Sequence, residues 1–206
     1  MKLRAITLAL TAVSVLVSAP ATATSPQTVD PAGMTPVLNP DYAPWACVLA
    51  GTGITCTGYE EVSYTDEPTG FQCDGHDVLA TGDLQSKFVR WHDLQGRALK
   101  TSIQTNYTSD ELTLAGDDDG PVVVSSGAWH KHYVYPVPGD LTQRVLTETG
   151  SVNKIRFPGG GVQFRDTGTI TYVPDQEYET PSVMHGIHDS YADVDVVALV
   201  CAGLTG

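Results

Sequence analysis

The sequence predicts an all-β fold, and three observations carry that prediction. Apolar residues alternate with period two over several short stretches. Gly-, Asp- and Pro-rich turns separate those stretches at regular spacing. Helical periodicity is weak beyond the N-terminal apolar run. Short strands of this kind point to an antiparallel barrel of about eight strands, with a two-sheet sandwich as the alternative. Closure into a barrel removes the edges that an open sheet has to protect.

The clearest strand is Arg97 to Tyr107. Leu99, Thr101, Ile103, Thr105 and Tyr107 fall on one face, and Lys100, Ser102, Gln104 and Asn106 on the other. Phe88 to His92 precedes it, joined through the turn Asp93-Leu94-Gln95-Gly96. Leu112 to Ala115 is a shorter strand that ends in the acidic turn Gly116 to Pro121. Val122 to Val124 and Trp129 to Tyr135 form one strand or two, kinked at Gly127. Val145 to Thr149 and Val152 to Phe157 flank Gly150. Lys154 to Val173 reads as a hairpin turned by Pro158-Gly159-Gly160-Gly161. Val194 to Cys201, apolar on both faces from Val196, is the expected last strand, buried on both sides.

The chain has 206 residues and a formal net charge of −13. Residues 1–23 read as a signal peptide: a basic start at Lys2 and Arg4, an apolar run from Ala5 to Val17, and Ala21-Thr22-Ala23 before the cleavage point, with Ala19-Pro20-Ala21 as the other site. Residues 24–44, rich in Pro and Thr, read as a flexible lead-in, and 45–206 as one β-domain. The product is expected to be secreted, extracellular and monomeric. Every Lys and Arg beyond Arg4 lies between Lys87 and Arg165, and acids dominate both flanks. Such a chain repels phosphate backbones and anionic lipid, which argues against nucleic-acid and membrane partners. A small molecule or an extracellular protein is the expected partner, with no cofactor.

Four cysteines, Cys47, Cys56, Cys73 and Cys201, read as two disulfides in an exported chain and allow three pairings. Cys47–Cys56 with Cys73–Cys201 is preferred. The first closes a short loop, and the second ties the start of the β region to its last strand. The spacing contains no C-x-x-C, which argues against zinc on these thiols.

The phrases FVRWHDLQGRALKTSIQTNYT, PVPGDLTQRVLTETGSV and VVALVCAGL resemble a group of small exported β-proteins of Gram-positive bacteria. That group shows a D-x-x-Gly-Arg-like turn, a Pro-Gly-Asp element, a D-x-G strand and a Leu-x-Cys-Ala-x-Leu-like end. The likeness runs from about Cys73 to Leu204. It implies a fold and a Cys73–Cys201 bridge, and no activity. The strand from Trp129 to Tyr135, with its two histidines, departs from the group.

Among candidate chemical residues, Asp166 stands out. Counting by two along its strand, it shares a face with Val162, Phe164, Gly168, Ile170 and Tyr172. A carboxylate on an apolar face has to be paired, hydrogen-bonded or protonated. It is a candidate general acid or base, or a polar anchor for a ligand. The plainer reading is a bulge at Asp166-Thr167-Gly168, with the carboxylate capping backbone N–H groups. His130 and His132, with His185 and His188, form a metal site only if the fold brings the two pairs together. Otherwise they are strand and loop histidines. Trp129, Tyr133 and Tyr135 share one face with Lys131 and suit sugar or peptide binding, or simply the core. The serine-hydrolase motif G-x-S-x-G, a phosphate loop and an EF-hand are all absent. Asn106-Tyr107-Thr108 matches a glycosylation pattern by coincidence, and Asp117 to Gly120 is a solvated turn.

Three functions compete: a binder of a small, partly apolar ligand; an enzyme of the cyclase, isomerase or metal-assisted hydrolase kind; and a structural or inhibitory module acting by surface contact. The fold by itself separates none of them. The deciding features are whether the interior is hollow and what Asp166 touches.

Overall fold

Period-two alternation builds a single antiparallel sheet in which each strand pairs with the next along the chain. A computed structural model describes residues 26–117, 119–192 and 194–206. The signal peptide expected at 1–23 lies outside the described residues. The strands are β1 (Gln27–Thr28), β2 (Ala46–Ala50), β3 (Gly53–Cys73), β4 (His76–His92), β5 (Ala98–Leu114), β6 (Val123–Val134), β7 (Val145–Arg156), β8 (Val162–Tyr172) and β9 (Pro181–His188). One helix, α1 (Val196–Thr205), follows.

The all-β class holds, but the barrel does not. Among the described residues no pairing joins β9 back to β1 or β2, so the sheet is an open meander of nine strands. Two further expectations are corrected, and one strand was missed. The segment Val196–Thr205 is a helix, capped by Asp195, whose carboxylate accepts the Ala198 N–H. A short apolar run cannot be told from a buried helix by periodicity alone. His185 to His188 lie on β9, not in a loop. β3, with 21 residues, escaped the pattern because its central part is exposed on both faces and has no alternation to read.

Five successive strand pairs carry a register shift along one transverse line. The shifts fall between Tyr64 and Glu67, Thr81 and Leu84, Tyr107 and Asp110, Ser126 and Ala128, and Ser151 and Asn153. Each bulge bends its strand and adds twist. The kink expected at Gly127 belongs to this line: a Cβ there would meet the Val152 carbonyl at 2.4 Å and the Tyr107 ring at 2.5 Å. The line divides the inward face into two limbs. On one limb Val78, Leu112, Val123, Ile155 and Phe164 form a core sealed by Val200 and Leu204 of α1. On the other, Ala98, Tyr133, Tyr135, Leu146, Ile170 and Tyr172 form a second cluster.

Both preferred disulfides are present, Cys47–Cys56 across β2 and β3, and Cys73–Cys201 from β3 to α1. The Pro-rich lead-in packs on the sheet over most of its length. Met34 and Leu38 are buried beside the first disulfide, and Tyr42 and Trp45 lie on Phe88. Arg90 donates to the carbonyls of Pro36 (3.0 Å) and Val37 (3.4 Å). Proline-rich sequence lacks periodicity, so its few apolar anchors carry no signal of docking. Among the described residues no helix is long and apolar enough to cross a membrane.

Candidate functional site

The site begins with a row of glycines. Trp129 on β6 pairs with Gly150 on β7, Gly150 with Gly168 on β8, and Gly168 with Gly186 on β9. All three glycines have positive φ, at 112°, 147° and 120°, a conformation that side chains resist. A Cβ at Gly168 would lie 2.0 Å from the His185 carbonyl oxygen. The inward face therefore has a strip without side chains next to the Trp129 ring. Glycine within strands marks such close backbone approach.

Two carboxylates flank this strip. Glu148 is the inward residue before Gly150 on β7, and Asp166 the inward residue before Gly168 on β8. They are only 5% and 8% exposed. Together with Trp129, Lys131, Tyr172, Tyr178, Ser190 and Tyr191 they line a pocket of about 320 Å³. Tyr178 comes from the β8–β9 loop, and Ser190 and Tyr191 from the single 3-10 turn Asp189–Tyr191 after β9.

The hydrogen bonds assign most of the polar atoms. Lys131 Nζ donates to the Tyr178 hydroxyl at 2.7 Å and lies 3.5 Å from Glu148 Oε1. Its charge sits 5.0 Å over the Tyr178 ring. Glu148 Oε2 accepts the Tyr172 hydroxyl at 3.2 Å, and Tyr172 accepts Tyr191 at 3.3 Å. Burial pushes the Tyr172 phenol well above its ordinary range; its bond to Tyr191 and the nearby Glu148 charge add to the rise. Tyr178 is also raised, by burial first and by Glu148 next. Both phenols are therefore neutral at ordinary pH. Arg144 anchors the roof through a two-pronged ion pair with Glu177, beside Tyr178.

Asp166 faces inward. Its Oδ1 accepts the N–H and the hydroxyl of Ser190, at 3.1 Å and 3.0 Å. The register shift lies on the facing strand, between Ser151 and Asn153, and pairing along β8 stays regular from Asp166 to Thr171. So the carboxylate does cap a backbone N–H, while also lining the pocket. Of the aromatic candidates, Trp129 lines the pocket. Tyr133 and Tyr135 are buried in the second core cluster, with the Tyr135 hydroxyl 3.3 Å from Thr101 Oγ1.

The four histidines do not come together. His130 pairs with Thr149, Thr149 with Thr169, and Thr169 with His185, so His130 and His185 share a row. Three interstrand spacings put them about 14 Å apart, far beyond a shared ion. His130 instead lies 2.5 Å from Ser102 Oγ, and His132 lies beside His130. His188 Nε2 contacts the His185 carbonyl at 3.1 Å. No group of three or more His, Cys, Asp and Glu among the described residues has the geometry to hold a metal ion.

Sequence reasoning missed Glu148, Tyr178, Ser190, Tyr191 and the glycine row. Glu148 was findable, since it alternates in phase with Leu146, the same signal that singles out Asp166. The glycine row depends on strand register, and the other three residues sit in irregular segments without a pattern. No protein-family model, no curated protein and no solved structure matches this chain.

Proposed function

We propose that this chain is an exported β-protein that binds a small, partly apolar ligand in the pocket beside Trp129. The observation that carries the reading is the pocket itself, walled by Trp129, Tyr172, Tyr178 and Tyr191, with the largely buried carboxylates Glu148 and Asp166 in its lining. Binding pockets are typically apolar hollows with a few convergent polar groups. Two disulfides fit an oxidising compartment. The likeness to exported proteins of Gram-positive bacteria supports the same placement. Protein recovered from culture medium should begin near Thr24 by N-terminal sequencing.

Native mass spectrometry and ligand-observed NMR with a fragment panel test the binding. At least one small aromatic-compatible compound should bind and shift the Trp129 indole signal. A panel with no binder, together with a purified protein that carries nothing, sinks the reading.

One observation favours a second reading, an isomerase or cyclase: Glu148 and Asp166 line the same cavity. A carboxylate at such a place can act as a proton carrier. This reading requires a bound compound to be converted. A ligand recovered unchanged after long incubation with the protein, and released intact, removes it.

A further inference from the structure

We propose that the pocket takes a small organic ammonium ion, with Asp166 as its counter-ion; the proposal rests on the pocket being a ligand site, as argued above. The pocket already contains one ammonium group, and that group shows how the site holds such a charge. Lys131 Nζ has a carboxylate, Glu148, a phenol oxygen, Tyr178, and an aromatic face beneath it. A carboxylate with an aromatic ring is the usual setting for a desolvated cation. In the same pocket a second carboxylate, Asp166, and a second aromatic ring, Trp129, occur without a cation beside the acid.

Asp166 is 8% exposed, and no Lys, Arg or His nitrogen among the described residues comes within 4.0 Å of it. Ser190 supplies two neutral donors, both to Oδ1. Oδ2 has no hydrogen-bond partner among the described residues and is not one of their fully buried polar atoms, so it opens to the pocket. A largely buried carboxylate with no cation beside it favours a ligand that brings one. The Trp129 ring lines the same pocket. An aromatic ring and a carboxylate without a cation suit a ligand that carries a positive charge.

The alternatives fit less well. An anion meets two carboxylates against one ammonium, and that ammonium is already engaged by Glu148. A neutral sugar needs donors as well as acceptors. The hydroxyls of Tyr172, Tyr191 and Ser190 already donate within the chain. A formal net charge of −13 also draws cations towards the protein.

The test compares choline and ethanolamine with 3,3-dimethylbutan-1-ol, the uncharged counterpart of choline, and with glucose. Each is titrated into the unaltered protein and followed by the Trp129 indole NMR signal. The ammonium compounds should bind about tenfold or more tightly than the neutral alcohol, the step that 1.4 kcal/mol represents. Asp166→Asn should remove most of that difference and leave the alcohol's affinity unchanged. Equal binding of choline and the alcohol overturns the proposal, and that comparison needs no variant to fold. Ammonium binding that survives in a folded Asp166→Asn protein overturns it too. Binding of the neutral compounds without the ammonium ions overturns the ammonium assignment and keeps the pocket as a ligand site. If no compound of either kind binds, and the fragment panel is also silent, both readings fall together.

Discussion

The two limbs of the sheet use the same strands and the same alternation, yet they end as opposites. On the first limb, Phe164 and Ile155 of β8 and β7 meet Val200 and Leu204 of α1, and the space is filled. The helix comes close because residue 203 is glycine. A Cβ there would meet Val123 Cγ2 at 2.6 Å and the Phe157 ring at 2.8 Å. The Cys73–Cys201 bridge then holds the helix to β3. Beyond the line the inward positions of the same two strands begin with Glu148, Gly150 and Gly168, and Asp166 sits at the line itself. The roof of this second limb consists of loop residues held by Arg144–Glu177 and Lys131–Tyr178. Glycine lets the helix pack closely on the first limb and lets neighbouring strand backbones approach on the second. The difference separates a limb built for stability from one that keeps buried polar groups, which stability alone does not require.

Perturbations of each limb test that separation. The largest effect expected is the loss of the long disulfide. Its cysteines are 128 residues apart, and replacing both with Ser should lower stability by about 4–5 kcal/mol in the chain-entropy model. Replacing Cys47 and Cys56, only 9 residues apart, should cost about 2–3 kcal/mol on the same basis. Urea unfolding measures both. If removal of Cys73–Cys201 also abolishes ligand binding in protein that is still folded, the limbs are not independent.

Glu148→Gln is the matching change on the second limb. It leaves Lys131 without its carboxylate and weakens the bond to Tyr172, for a loss of about 1–3 kcal/mol by urea unfolding. A double-mutant cycle with Lys131→Met should return a coupling of at least about 0.5 kcal/mol. Additive effects would mean that the pair contributes nothing.

His92 offers a pH handle at the far end of the second limb. Burial, with Arg90 nearby, lowers its pKa from 6.5 to about 4 in the folded protein. Between those values the unfolded chain binds a proton that the folded chain does not. Stability is therefore full above about pH 6.5, falls as the pH drops towards 4, and loses nothing further from this group below that. His92→Gln should flatten the urea midpoint across this window. An unchanged slope would assign the pH dependence elsewhere.

The smallest effect belongs to the helix cap. Asp195→Ala removes the acceptor of the Ala198 N–H and should cost about 1 kcal/mol in thermal or urea unfolding. Amide exchange should speed up in α1 and leave β6 to β9 unchanged.

Legibility followed the range of the interactions. The β4–β5 and β7–β8 hairpins were readable because alternation and turn chemistry are local. At the first turn Asp93 Oδ1 accepts the N–H groups of Gln95 and Arg97, and Gly96 takes φ 78°. The inward direction of Asp166 was readable for the same reason. α1 was misread as a strand because an apolar run of that length satisfies either period, and only its docking against Val123 and Phe157 decides between them. β9 was read as a loop because it is an edge strand exposed on both faces, so nothing imposes alternation on it.

By itself the sequence determined the β class, the even cysteine count that reads as two disulfides, the turns, and the presence of one acid on an apolar face, all of which depend on neighbours within a few residues or on composition. Tertiary structure alone decided that the sheet stays open, that its strands bend along one line, and that Gly150, Gly168 and Gly186 fall in register beside Trp129. Register is a property of pairing between strands, and no single strand carries it. The same register sets Lys131 opposite Glu148 across β6 and β7, which leaves Asp166 as the carboxylate without a cation.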